Sequence, residues 1–409
     1  MKQPKHLLVL LALSVCACSP AEKEESLLEK ADRLAHEFII ADGHVDLPYR
    51  MVEAGFMKRG EVLDVSKDAL DGNFDFKRAK KGGLDAPFMS IYIPSEYQLI
   101  EGYAKTFADS VIKMTKQLAN TYPDQFAIAY SPDDVEANFK AGKISLPMGM
   151  ENGAPVEGDI SLVEYYQKAG IRYITLTHGK DNKISDSSYD TTATHGGLSS
   201  YGKQVVTEMN RVGIMVDISH VSDNAFWDVM EMTDVPAIAS HSSSRKFTPS
   251  FERNMNDEMI KKLAEKDGVI MINFGSSFLD GEYSDRRAAY DEYLNTWEAS
   301  SGIDRNSDEG KAFVENYTKE NDPWSNVSKV ADHIDHVVAL TGGTKNVGLG
   351  SDYDGVGDSL PTGMKDVSTF PNLIYELLKR GYSDQDIKNI CSGNILRVWR
   401  AVENAAANS

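Results

Sequence analysis

Eight short runs of apolar and β-branched residues, mostly separated by stretches of helical periodicity, narrow the folds open to this chain of 409 residues. The first is Phe38-Ile39-Ile40-Ala41-Asp42-Gly43-His44-Val45-Asp46-Leu47. The others cover 86–94, 144–151, 171–178, 214–220, 236–241, 268–274 and 346–352. Helical patterns fall at 26–38, 102–122, 162–169, 202–212, 226–232 and 259–266. Such alternation predicts a (β/α)8 TIM barrel, in one domain over 26–409, rather than two domains. The segment 47–83 reads as charged and irregular. A long insertion after the seventh strand, 274–346, is expected to carry its own helices and to cover the barrel mouth or build an oligomer interface.

Strand ends give the prediction its chemical content. In a parallel barrel every strand finishes on one face, so residues far apart in sequence share one mouth. Here the apolar runs finish in His44-x-Asp46, Glu151, His178, His220, His241 and Asp352. Of the nine histidines in the chain, four sit at these ends, which favours a site over isolated core histidines. His44 and Asp46, two apart on an extended chain, point the same way and suit a divalent transition metal, zinc above all. His333 and His336 lie one helical turn apart, but the apolar face through Ile334, Val337 and Val338 predicts an ordinary packed helix. His36 reads as an ordinary helix residue, and His195, in a Gly-rich loop, as a surface residue.

The net charge of −19 argues against nucleic acid or an anionic membrane as partner and favours a small substrate. Lys2 and Lys5 precede an apolar stretch, Leu7 to Val15, that is too short to span a bilayer and has the form of a signal peptide. The following Val15-Cys16-Ala17-Cys18-Ser19 resembles a bacterial lipoprotein signal. Residues 1–17 are thus expected to be removed, Cys18 to carry lipid, and 18–25 to tether the protein on the periplasmic side of the cell envelope. Cys391, the one cysteine remaining beside Cys18, reads as a buried thiol.

Taken in order, the motifs resemble the membrane (renal-type) dipeptidases of the amidohydrolase superfamily, which implies a barrel of the metal-dependent hydrolase type. The resemblance rests on Asp42-Gly43-His44-Val45-Asp46-Leu47-Pro48, Arg172 to His178, Asp217-Ile218-Ser219-His220-Val221-Ser222, Ser240-His241-Ser242-Ser243, Arg253-Asn254 and Gly348 to Gly355. It implies a zinc dipeptidase acting on small dipeptides, including those with a C-terminal D-residue, and a homodimer. It further implies two zinc ions, one on His44 and Asp46, the other on His220 and His241, bridged by Glu151 and by a water-derived hydroxide that attacks the peptide. His178 would stabilise the oxyanion, Asp352 would carry the proton to the departing amine, and Arg253 would hold the substrate carboxylate. Asp354 would be structural. The run Glu151-Asn152-Gly153-Ala154 departs from the glycines and histidine common in the family at this point, which bears on pocket shape. Two alternatives stay open on sequence: a lactone or cyclic-amide hydrolase of the same superfamily, and a non-catalytic zinc- or solute-binding lipoprotein.

Overall fold

In the computed structural model, which describes residues 25–67, 71–233 and 235–408, the apolar runs close into a barrel. The signal segment and Cys18 lie outside the described residues, as does all of the tether but Glu25. Among the described residues ten strands form in chain order: β1 (Ile40–Val45), β2 (Leu84–Tyr92), β3 (Phe126–Ile128), β4 (Ile144–Leu146), β5 (Met148–Glu151), β6 (Ile171–Thr175), β7 (Met215–Asp217), β8 (Ile238–Ala239), β9 (Val269–Ile272) and β10 (Val347–Leu349). Eight of them pair in parallel in the closed order β1-β10-β9-β8-β7-β6-β5-β2. The remaining two, β3 and β4, make a separate parallel pair.

The expected third strand, 144–151, is therefore two strands. Pro147, without an N–H, breaks the ladder between them. Before it, β4 pairs with β3; after it, β5 joins the barrel between β2 and β6. Nor is 47–83 irregular throughout. It contains three short helices, Leu47–Glu53, Phe56–Arg59 and Phe76–Gly82. Their four to seven residues are too few to show a helical period. The long insertion follows β9 as expected and carries the helices Ser276–Leu279, Tyr283–Ser301, Asp308–Glu320 and Val327–Thr341.

Inside the barrel, Ala41, Ala86, Met215, Ile238 and Val269, at or near the starts of their strands, pack with Phe88, Tyr173 and Met271. Trp399, from the C-terminal helix Asn394–Ala407, joins this cluster and closes the end opposite the strand C-termini. Cys391 is buried, and its thiol is pushed up to about 12 by burial and by Asp85, as suits a packing residue rather than a nucleophile.

Two glycines let the strand ends converge. A Cβ on Gly43 would lie 2.3 Å from the Ser240 carbonyl oxygen, and one on Gly350 only 2.0 Å from the same atom. Because the obstacle is backbone, Gly350→Ala is expected to cost about 1–3 kcal/mol through overpacking. Equilibrium denaturation of the purified variant measures this; unchanged stability would mean that the approach of β10 to the end of β8 is not tight.

Candidate metal centre

Several of the site residues lie beyond the strands rather than at their tips. His44 is within β1 and Glu151 ends β5, but His178, His220, His241 and Asp352 follow the last residues of β6, β7, β8 and β10 by two or three positions. The chain turns there because polar side chains bind its own amides. Asp42 accepts from His44 N at 3.1 Å and from Ser351 N at 2.8 Å, tying the ends of β1 and β10. Asp217 accepts from Ser219 N at 3.0 Å and Ser240 N at 2.9 Å, tying β7 to β8. His220 and Asp352 then adopt left-handed backbone, with φ of 69° and 63°. Non-glycine residues seldom occupy that region, and its cost is commonly met at functional sites.

These turns gather the predicted residues about Glu151. Its Oε2 faces His44 Nε2 at 3.4 Å. Its Oε1 faces His220 Nε2 at 3.1 Å, His241 Nε2 at 3.3 Å and His178 Nε2 at 3.6 Å. On the far side of His44, Asp46 Oδ2 lies 3.3 Å from the same Nε2. Asp46 stands just before the helix Leu47–Glu53, yet its carboxylate caps no amide there, and Oδ1 is buried without a partner. Asp352 has a ligand atom within 4.8 Å of those of His44 and Asp46. Asn273 Nδ2 donates to its Oδ2 at 2.8 Å. Asp354, two residues further, accepts from Arg50 Nη1 with both oxygens at 2.8 Å.

The hydrogen bonds around the imidazoles determine which nitrogen is free. The Tyr173 hydroxyl donates to Gly43 O at 3.0 Å, so it accepts from His44 Nδ1–H, also at 3.0 Å. Ser240 Oγ donates to Asp217 Oδ2 at 2.7 Å and therefore accepts from His241 Nδ1–H at 2.7 Å. Both rings thus keep their hydrogens on the outer nitrogen and turn Nε2 toward Glu151. His241 Nε2 also lies 2.9 Å from His220 Nε2.

Electrostatics follow from burial. Burial would raise the Glu151 carboxyl, but His44, His178, His220 and His241 around it hold it well below the usual carboxylate range. Burial likewise holds the His220 and His241 rings neutral, well below the usual imidazole range, helped by Arg253. The His44 ring goes the other way: against its burial, Tyr173, Glu151 and Asp46 raise it well above that range. Asp352 is pushed up to about 7, chiefly by burial, with Asp46 and Glu151 adding to it and His44 opposing. The neutral His220 and His241 rings thus turn buried lone pairs toward the same Glu151 oxygen across about 3 Å. A divalent cation satisfies that arrangement, and imidazole with carboxylate is the donor set of a transition metal.

A cavity of about 500 Å3 opens over these groups, lined also by Tyr49, Tyr92, Tyr189, Phe278 and Val356. A larger groove, about 770 Å3, lies by Phe247, Trp324 and Lys329 and contains none of the site residues. Arg253 is buried, with Nη1 on Ser242 Oγ at 2.5 Å and Nη2 on His241 O at 2.9 Å. Among the described residues no carboxylate pairs with it, and Nε has no partner.

The sequence model of the membrane dipeptidases, peptidase family M19, matches residues 28–409. The chain belongs to this family. Dipeptidase aclJ of Aspergillus oryzae is 34% identical over 90% of this chain and 79% of its own length. The crystal structure of the probable dipeptidase PvdM from Pseudomonas aeruginosa superposes with a TM-score of 0.75 at 26% identity, covering 94% of this chain and all of that one. A metallo peptidase from Rhodobacter sphaeroides, liganded with a phosphinate mimic of the dipeptide L-Ala-D-Ala, shares the fold with a TM-score of 0.71 at 22% identity, over 89% of this chain and 99% of that one. Membership makes this chain a dipeptidase with a metal cofactor, and the non-catalytic alternative falls.

Sequence reasoning named the inner residues and missed those that orient them. Tyr173, Asp217, Ser240 and Asn273 were not singled out, although Asp42 and Asp217 each precede a site histidine by two or three positions, a repetition visible in the sequence. Outer partners that fix a ligand's tautomer commonly govern 10–100-fold in metal affinity. Ser240→Ala is therefore expected to weaken metal binding about 10–100-fold, read by competition against a chromophoric chelator. Unchanged affinity would remove Ser240 from that role.

Proposed function

We propose that the enzyme is a zinc-dependent dipeptidase with a binuclear centre, cleaving small dipeptides including those whose C-terminal residue is D. The observation that carries this is the division of Glu151, with one oxygen toward His44 and the other toward His220 and His241. A carboxylate so divided suits a pair of cations, His44 and Asp46 serving one, His220 and His241 the other. Two zinc ions, when bound, would acidify water and polarise the scissile carbonyl.

The chain's own residues divide the remaining work. Arg253, a buried cation without a carboxylate partner, suits the substrate's C-terminal carboxylate and so fixes one end of a two-residue substrate. His178, at 3.6 Å the furthest of the four imidazoles from Glu151 and the one reaching most into solvent, suits an N–H donor to the carbonyl oxygen as it gains charge. Asp352, steadied by Asn273, accepts the proton of the attacking water and returns it to the leaving amine. The D-residue preference draws on the L-Ala-D-Ala mimic bound by the Rhodobacter fold neighbour.

Export and lipid attachment at Cys18 are part of the same proposal, supported by Lys2, Lys5 and the apolar stretch ahead of Cys18. Metabolic labelling with a fatty acid is expected to mark the wild type and not Cys18→Ser; label on both would refute attachment there.

Asp352→Asn is expected to keep its metal while kcat on L-Ala-D-Ala falls at least 100-fold, in line with loss of a general acid–base group. Metal analysis alongside steady-state kinetics tests it. A variant with full metal and a wild-type rate would end the proton-transfer role.

A further inference from the structure

The insertion after β9 does more than extend the fold, because it grips the loop that walls the catalytic cavity. Gly355, Val356 and Ser359, directly after Asp352 and Asp354, line that cavity. Between Val356 and Ser359 in sequence is the exposed Asp358. Trp324 Nε1 donates to the Asp358 carbonyl at 2.5 Å, and Arg287 Nη1 meets the Asp358 carboxylate at 3.0 Å. Both residues belong to the insertion, more than 30 positions from Asp358 in sequence. The Arg287 guanidinium also lies 5.5 Å from the centre of the Trp324 ring, and Lys365 Nζ lies 3.8 Å from it. Lys365 in turn donates to Leu360 O, at the end of the same loop. Next door, Thr362 N donates to Ser325 O at 2.8 Å and Val327 N to Thr362 O at 3.1 Å, joining the loop to the insertion through backbone.

The inner face of the loop is positioned by the same segment. A Cβ on Gly275, at the start of the insertion, would come within 3.0 Å of both Phe278 and Val356, so these three are in close packing. Phe278 lines the cavity, and the Arg253 guanidinium lies 5.3 Å from its ring centre. One wall of the cavity is thus Phe278 and Val356, the insertion supplying the first and restraining the second from outside.

We propose that Arg287 and Trp324 are specificity-determining positioning residues, which hold the 355–360 loop and thereby set the size of substrate side chain the cavity admits. They touch neither the metal ligands nor the reacting bond. Their effect is on the wall: with the clamp in place Val356 and Ser359 stay close to Phe278, and without it the loop moves outward and larger side chains enter. This rests on the substrate being a dipeptide bound in that cavity.

The test uses the full metal-loaded enzyme, with Trp324→Phe, which keeps an aromatic ring and loses the N–H, and Arg287→Ala, at a partly exposed position. Each is assayed on dipeptides from Ala-Ala to Ala-Phe and Ala-Trp, with hydrogen exchange followed over 355–362. The expected result is faster exchange confined to that loop and a change of threefold or more in the ratio of kcat/KM for large over small dipeptides, mostly in KM. Proportional change for every dipeptide, or an unchanged ratio, in both variants would overturn the proposal. A wild type that cleaves no dipeptide in the panel would instead refute the substrate assignment beneath it.

Discussion

Acceptor groups packed against one another in a dry interior are costly unless a positive charge lies between them, and the strand ends of this barrel are built around that condition. A buried polar atom left without a partner costs about 1–3 kcal/mol. Here the Nε2 atoms of His44, His220 and His241 lie 3.1–3.4 Å from the Glu151 carboxylate, and Asp46, 3.3 Å from His44 through Oδ2, keeps Oδ1 buried without a partner. The barrel tolerates this because its closed core and the Trp399 plug supply stability elsewhere, while the glycines at 43 and 350 let the backbones approach. Folding and metal binding are therefore linked: whatever satisfies the acceptors also stabilises the turns that present them.

Orientation comes from beneath. The Tyr173 hydroxyl bridges Gly43 and His44 from within the barrel, and Asp217 gathers Thr175, Ser219 and Ser240 so that Ser240 can fix His241. Neither His44 nor His241 can turn its protonated nitrogen inward without breaking such a bond. His220 differs, with Nδ1 unpartnered, so its ring is held by packing against His178 and by a strained backbone. The two halves of the centre are unequal in support even though they share Glu151.

Much of this was legible in the sequence because period and chemistry coincide. Apolar runs ending in His or a carboxylate give both the barrel and its mouth, so His44, Asp46, Glu151, His178, His220, His241 and Asp352 could be grouped before any geometry was known. What could not be read was set by contacts without a sequence period. Pro147 dividing one run into two strands, the short helices of 47–83, and the tyrosines at 49, 92 and 189 over the cavity depend on tertiary placement. Asn152 is a further case. The sequence marks it as a departure from the family, while the structure shows it in left-handed backbone with φ of 81°, its side chain joining Ile93 O and Asn182. Asparagine tolerates that conformation, so the position is filled by a residue suited to it.

The central claim is that Glu151 stands between two cations. Diffraction from crystals of zinc-loaded protein, recorded on both sides of the zinc absorption edge, tests it most directly. The account predicts two anomalous peaks flanking Glu151, one within bonding distance of His44 and Asp46 and one of His220 and His241. A single peak, or peaks away from Glu151, would contradict it.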